Sequence, residues 1–160
     1  MSKDIAFEMA VSSVRFGVGV TREVGMDLAE MGARLVLVVT DPVLAKLPPV
    51  RTVFESLEAN KVPYAVYDRV RVEPSDESFL DAIAFAKERP FDAFVAVGGG
   101  SVIDTAKAVN LYTTYPPADF LDYVNPPIGK GLPVPAVVGI ASSGFSGPGT
   151  GSPLPIGGFT

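Results

Sequence analysis

Short runs of apolar residues alternate with longer amphipathic stretches over the first 135 residues of the chain. Three runs are rich in valine and aromatic residues, as buried strands are: LVLVV at 35–39, PYAVY at 63–67 and FVAV at 94–97. Helical periodicity lies between them. Strands that alternate with helices form a parallel sheet with the helices packed on it. The pattern therefore predicts an open α/β fold of the nucleotide-binding type.

Capping residues give the expected limits of the first two helices. Thr21 is the expected N-cap of the first, which ends near Met31 with Gly32 as the residue after its C-terminus. The second is expected from about Val50 to Ala59, with Asn60 in that same position after its end.

The third helix has the clearest boundaries. Ser75 is its expected N-cap, and Asp76 and Glu77 suit the positive end of the helix dipole. One apolar face follows at helical spacing: Phe79, Ala82, Ile83 and Ala86.

The composition changes near residue 136. Residues 136–160 contain no charged side chain and are rich in Gly, Pro and Ser, and within them only VVGI at 137–140 resembles a strand. Such a segment buries little apolar surface against the entropy of ordering it. We expect a dinucleotide-binding domain over 1–135, extended to 140 if VVGI joins the sheet, followed by a disordered tail over 141–160.

Composition excludes several kinds of chemistry. The chain has no Cys and no His, so it has no disulfide, no thiolate nucleophile, no Ser-His-Asp triad and no imidazole metal ligand. A net charge of −5 without a basic run argues against nucleic acid as a partner. No apolar stretch approaches the roughly 20 residues of a membrane span. The N-terminus, MSKDIAFEMA, has no leader or transit-peptide pattern, which predicts a cytoplasmic protein if the chain is complete.

The most informative motif is a glycine-rich turn after the third strand. Gly98, Gly99 and Gly100 can adopt positive φ angles and let an anion approach the backbone, and the following helix offers unpaired amides. Ser101 and Asp104 form an S-x-x-D capping pattern at the start of that helix. This arrangement predicts a phosphate or pyrophosphate cradle at the carboxyl end of a strand. The alternative is a strand-to-helix turn that is only rich in glycine.

Three further positions have two interpretations each. Asp41 follows the first strand, where a carboxylate can bind ribose hydroxyls, but Asp41-Pro42 is also a common turn pair. Lys107 could neutralise a nearby anion or be a solvated helix residue. The FGVG segment at 16–19 could contact a ligand or form a hairpin or edge-strand bend.

The segment VAVGGGSVIDTAKAVN, with the strand ending in VTD before it, resembles the nucleotide-binding half of iron-dependent (group III) alcohol dehydrogenases. AFEMAVSSVRFGVG, VTREVGMDL, VYDRVRVEPSDESFLDAIAFAKE and ADFLDYVNPPIGKG resemble one mitochondrial branch of that family. The resemblance covers about residues 5–135. It implies a Rossmann-like N-terminal domain of the dehydroquinate synthase-like fold, with helices on both faces of the sheet, followed in the family by a helical domain that this chain lacks.

The resemblance also implies an activity. The branch uses bound NAD to move a hydride from 4-hydroxybutyrate to 2-oxoglutarate, which gives succinate semialdehyde and 2-hydroxyglutarate. By resemblance, Asp41 lies near the adenosine ribose, and Gly98 to Ser101 and Asp104 lie along the pyrophosphate and nicotinamide side. The implied partners are small hydroxyacids and oxoacids and a second copy of the chain, and the implied compartment is the mitochondrion.

Two departures from the family pattern limit the expectation. The family's Pro-Thr-Thr and Gly-Thr-Gly-Ser-Glu loop is only echoed by residues 149–152, and its Asp and His ligands for iron or another divalent metal have no counterpart here. We therefore expect no catalytic and no metal-binding residue in this chain, and no activity from it alone. The alternative is a non-catalytic nucleotide-binding module produced by splicing or by a truncated gene model.

Overall fold

The structure is a computed structural model, and it describes residues 14–15, 17–123, 137–140 and 156–159. The strands of its sheet are β1 Val14–Arg15, β2 Val36–Val39, β3 Tyr64–Tyr67, β4 Ala93–Val97, β5 Val137–Ile140 and β6 Ile156–Phe159. The α-helices are α1 Val24–Glu30, α2 Pro48–Ala59, α3 Asp76–Lys87 and α4 Gly100–Thr114. Short 3-10 turns lie at Val20–Glu23, Leu44–Lys46 and Phe120–Tyr123.

The sheet has the order β1-β6-β5-β4-β2-β3. Strands β3, β2, β4 and β5 run parallel, and β6 pairs antiparallel with β5 and with β1. The chain passes from β2 to β3 on one side and then crosses to β4 on the other side of β2. The strand order therefore reverses between β2 and β4, and open α/β sheets bind ligands at the carboxyl ends of the strands at such a switch point.

The two faces of the sheet carry separate cores. Because side chains alternate along a strand, Val36 and Val38 of β2 pack on one face, and Leu37 and Val39 pack on the other. The first face is covered by α1 and α2, and the second by α3 and α4. The predicted parallel α/β fold with helices on both faces is confirmed. Within the described segments, no helix combines the length and apolar character that crossing a membrane requires.

The predicted strands agree with the structure more closely than the predicted helix caps do. Ser75 caps α3 as expected, since its side chain accepts a hydrogen bond from the Ser78 amide at 3.4 Å. Gly32, with φ +76°, follows α1 as expected. The expected N-cap role of Thr21 is wrong, because a 3-10 turn that starts after Gly19 precedes α1. The left-handed residue after α2 is Lys61, with φ +56°, rather than Asn60.

Strand β6 lies inside the segment for which the composition predicts a disordered tail. Its backbone pairs with β5 from Val137 opposite Phe159 to Ile140 opposite Ile156. Backbone pairing needs no side-chain packing, so a glycine-rich IGGF sequence can still join an open sheet edge. The rest of the 141–160 segment lies outside the described residues.

Helices α1 and α2 approach each other at a glycine. The Ser56 hydroxyl of α2 accepts a hydrogen bond from the Gly25 amide at 2.9 Å and donates one to the Arg22 carbonyl at 2.6 Å. A Cβ at Gly25 would overlap the Ser56 carbonyl oxygen and lie 2.9 Å from the Leu57 amide nitrogen. Gly25 is therefore required by the close approach of two backbones, a role that the helical pattern of the sequence does not reveal.

We predict that Gly25→Ala destabilises the chain by at least about 2 kcal/mol, because the added methyl meets backbone that cannot move aside without separating α1 from α2. Urea unfolding followed by circular dichroism measures the change. Ala29→Ser, on an exposed position of the same helix, is the control and should change the free energy of unfolding by less than about 0.5 kcal/mol. Equal stability of Gly25→Ala and the parent chain would contradict this packing.

Asp92 joins the amino ends of β2 and β4. Its carboxylate accepts hydrogen bonds from the Arg34 amide at 3.0 Å, the Leu35 amide at 3.0 Å and Arg34 Nε at 2.9 Å. Burial acts to raise the pKa of Asp92. The hydrogen bonds from the Leu35 amide and from Arg34 outweigh it, so the pKa lies below the ordinary 3.8.

We predict that Asp92→Asn lowers the free energy of unfolding at pH 7 by about 1–2 kcal/mol. A lowered folded-state pKa means that the stabilisation is full above about pH 4, the unfolded value, and is lost as the pH falls through the folded pKa. Urea unfolding from pH 7 to pH 3 should therefore show the two chains converging at the acid end. Glu88→Gln, an exposed carboxylate, is the control, and a constant Asp92→Asn difference across this range would refute the linkage.

Candidate functional site

Thr40 connects the two walls of the switch point. It follows β2 directly and is fully buried. Its amide donates to the Tyr67 carbonyl at 2.9 Å, and its carbonyl accepts from the Val70 amide at 3.3 Å. Its backbone therefore bonds to the end of β3 and to the segment that follows it. Its hydroxyl donates to the Val97 carbonyl at the end of β4, at 2.8 Å. One side chain thus holds the carboxyl ends of β2 and β4 together where their ladder ends.

A cleft of about 210 Å³ opens just beyond this contact. It is bounded by the end of β2, by the segment between β3 and α3, and by the start of α4. The cleft is lined by Asp41, Val70, Arg71, Val72, Gly99, Gly100, Ser101 and Val102. Four of the six residues proposed from the sequence therefore lie on one cleft, at the position that the topology predicts for a ligand.

The other two proposed residues do not line the cleft. Gly98 is buried beneath it. A Cβ there would lie 2.5 Å from Val102 Cγ2 and 3.3 Å from Leu44 Cδ1, so glycine is needed for packing. Asp104 is exposed, one turn into α4. Lys107 is also exposed on this helix, and its contribution to ligand binding stays a prediction.

The glycine turn reaches its geometry without positive φ angles. Among the described glycines, only Gly19 and Gly32 have positive φ, so the turn at residues 98–100 does not use the positive φ angles that glycine permits. A Cβ added to Gly99 or to Gly100 would meet no atom within 4 Å. The absent side chains at these two positions leave open space at the cleft.

Helix α4 begins with a backbone cap rather than a side-chain cap. Gly99 is the N-cap, with φ −86° and ψ −164°, and makes no side-chain hydrogen bond. The predicted Ser101–Asp104 capping box is therefore wrong, since Ser101 already lies inside the helix. The Gly99 carbonyl accepts from the Val102 and Ile103 amides, each at 3.1 Å. The preceding amides, of Gly100 and Ser101, have no acceptor among the residues that the structure describes.

These free amides give the cleft an anion-binding character. They lie at the N-terminus of a 15-residue helix, where the aligned peptide dipoles are equivalent to about half a positive charge. Donors of this kind bind phosphate and carboxylate oxygens. The phosphate cradle that the glycine motif predicts would use these amides, and it stays a prediction.

Asp41 stabilises a turn, which is the simpler of the two interpretations that the sequence allowed for it. Its Oδ1 accepts from the Val43 amide at 2.8 Å and from the Leu44 amide at 2.9 Å, which fixes the 3-10 turn after β2. The residue also lines the cleft. Its contact with ribose stays a prediction, for which the second carboxylate oxygen remains available among the described contacts.

The sequence interpretation missed Thr40 and Arg71. A threonine directly after a buried LVLVV run could have indicated a side chain that continues a ladder. The R-V-R-V alternation at 69–72 could have indicated two arginines on one side of an extended segment.

The family model for iron-containing alcohol dehydrogenase matches residues 12–146, which is most of the chain. The chain belongs to this family. The hydroxyacid-oxoacid transhydrogenases of mitochondria are among its similar curated relatives. That of Bos taurus is 64% identical over 131 residues, that of Homo sapiens 61% and that of Caenorhabditis briggsae 50%. The match covers 82% of this chain but only 28% of each relative.

Solved structures agree with this assignment of family and fold. The NADH-dependent butanol dehydrogenase A of Thermotoga maritima matches with a TM-score of 0.72 and 26% identity, over 86% of this chain and 34% of that one. A 1,3-propanediol oxidoreductase matches with a TM-score of 0.76 and 27% identity, over 86% of this chain and 36% of that one. The described fold is thus that of the N-terminal part of these longer enzymes.

We predict opposite outcomes for alanine at two adjacent glycines. Gly98→Ala should cost about 1–3 kcal/mol of stability, because its methyl would overlap the branched Val102 side chain. Gly99→Ala, with open space around it and a φ that alanine adopts readily, should stay within about 0.5 kcal/mol of the parent. Thermal and urea unfolding of the two variants give the comparison, and a reversed order would mean that the turn is packed differently.

Proposed function

We propose that this chain forms the dinucleotide-binding part of an NAD-linked, metal-dependent oxidoreductase that transfers a hydride between a hydroxyacid and an oxoacid. The observation that carries the proposal is the cleft at the switch point, with Asp41 on the β2 side and the free amides of Gly100 and Ser101 on the β4 side. The similarity to transhydrogenases supports the hydroxyacid and oxoacid substrates, and their mitochondrial names support the same compartment for this chain.

The cleft residues fit a dinucleotide. Phosphate oxygens would accept hydrogen bonds from the Gly100 and Ser101 amides, and the missing Cβ atoms at Gly99 and Gly100 leave room for close approach. The Asp41 carboxylate would accept from ribose hydroxyls while its Oδ1 continues to hold the turn. Bound NAD would supply the hydride acceptor and donor. The residues of this chain bind and orient it.

The residues present do not fit the metal. The described part of the chain has no group of three or more His, Cys, Asp or Glu side chains that could hold a metal ion, and the full sequence has no histidine or cysteine. We therefore propose that the 160-residue chain on its own acts as a nucleotide-binding module. The family is described as iron-containing, and polarisation of a substrate oxygen by such a metal would need ligands that the described residues do not provide.

We predict that Gly99→Ala weakens NADH binding by about tenfold while leaving the fold intact, because its methyl enters the space that the phosphates would use. The titration follows NADH fluorescence on the 160-residue chain. Ala84→Val, which adds bulk at an exposed position of α3, is the control and should bind as the parent does. Failure of the parent chain to bind NADH would overturn the proposal. Equal binding by Gly99→Ala would remove the cleft as the site.

We also predict that the isolated chain forms no succinate semialdehyde or 2-hydroxyglutarate from 4-hydroxybutyrate and 2-oxoglutarate, with or without added Fe²⁺. Its described residues would supply dinucleotide contacts, and they include no group of side chains that could hold a metal ion. Product analysis by liquid chromatography and mass spectrometry provides the measurement. Turnover by this chain alone would contradict the nucleotide-binding module.

A further inference from the structure

Two arginines of the segment between β3 and α3 have different environments. Arg69 has two partners: its Nε lies 3.3 Å from Asp81 Oδ2, and its guanidinium carbon lies 5.1 Å from the centre of the Tyr67 ring. Arg71 is exposed and lines the cleft. The ion pairs found within the described segments involve Arg34 and Arg69, so Arg71 has no acidic partner there.

The backbone around Arg71 is held in place. The Val70 side chain is buried in the core beneath α3 and α4, and its amide bonds to the Thr40 carbonyl. A few residues later, Ser75 caps α3. A well-anchored segment therefore brings the Arg71 guanidinium, which forms no ion pair with the described residues, to the edge of the cleft.

The charges around the cleft favour an anion with several oxygens. Arg71 contributes a permanent positive charge, and the start of α4 contributes free amides on another wall. Among the described residues that line the cleft, Asp41 carries the one carboxylate, and its Oδ1 already accepts two amide hydrogen bonds. A guanidinium binds phosphate through paired, charge-assisted hydrogen bonds, and a diphosphate has enough oxygens to contact both walls at once.

We infer that Arg71, on the segment between β3 and α3, binds a phosphate of the dinucleotide. The amides at the start of α4 would bind the same diphosphate from another wall of the cleft. This inference rests on the proposed NAD site. It adds a specific side chain to that site and makes the affinity depend on charge as well as on backbone geometry. A carboxylate of the acid substrate is the competing anion and is distinguished by the second experiment.

The first experiment compares charge-neutral variants of the 160-residue chain. Arg71→Gln should weaken NADH binding about tenfold. Arg71→Lys should bind more tightly than Arg71→Gln but more weakly than the parent, because it keeps the positive charge without the paired N–H donors of the guanidinium. Arg89→Gln removes the same charge between α3 and β4, at the opposite edge of the sheet, and should bind within about twofold of the parent. Since Arg71 is exposed, its variants should keep the parent's melting temperature. Unchanged NADH affinity in Arg71→Gln would overturn the inference while leaving the proposed function in place.

The second experiment does not depend on dinucleotide binding. In the ¹⁵N-labelled chain, inorganic pyrophosphate should shift the Arg71 side-chain Nε resonance together with the Gly100 and Ser101 amides, and should leave Arg89 Nε unmoved. Succinate at the same concentration should produce smaller shifts. No Arg71 shift with pyrophosphate would overturn the inference, as would a response to succinate alone. If the parent binds pyrophosphate at Arg71 but no NADH, the proposed function fails and the anion site stands.

Discussion

The hydrogen bond from the Thr40 hydroxyl to the Val97 carbonyl determines the geometry of the whole site. Parallel strands keep their spacing through backbone ladders, but at the switch point the backbone of Thr40 turns to β3 while β4 continues into the glycine turn. The side-chain bond extends the contact between the two strands one residue beyond their last ladder pair, Val39 opposite Ala96, where both walls of the cleft begin. The buried hydroxyl therefore joins β2 to β4 at this position, as backbone hydrogen bonds do along the rest of the two strands.

The glycine-rich turn depends on that spacing for two different reasons. Gly98 lies within the packed layer, where Val102 and Leu44 leave no space for a methyl group. Gly99 and Gly100 lie at the surface of the cleft, where space remains. One three-residue motif thus contributes both to the packed core and to the surface of the cleft. The anion binding proposed for it rests on the Gly100 and Ser101 amides, which have no acceptor among the described residues, rather than on positive φ angles. The close contact of Gly25 with Ser56 shows the same packing use of glycine far from the cleft.

The fold was predictable from the sequence because buried parallel strands need continuous apolar runs, and runs as short as LVLVV and FVAV fit a strand better than a helix. LVLVV and FVAV identified β2 and β4, whereas the strand order that makes their ends a switch point came from the structure. Caps were harder to predict, since they depend on tertiary neighbours. Ser56 of α2 satisfies the Gly25 amide in place of a local Thr21 cap, and the Gly99 backbone replaces a Ser101 side chain.

The candidate site likewise contains residues that the sequence pattern predicts and residues that only the tertiary structure reveals. Asp41, Gly99, Gly100 and Ser101 were predictable because they directly follow strand ends, and parallel strands bring those ends to one edge. Arg71 was not, because its position depends on how the segment after β3 folds back over the sheet, with Val70 buried and its amide bonded to Thr40. That fold-back places a positive charge and the Asp41 carboxylate on one cleft without pairing them. Direct pairing would neutralise both groups. Kept apart, they suit a ligand that carries hydroxyls near one end and phosphates near the other.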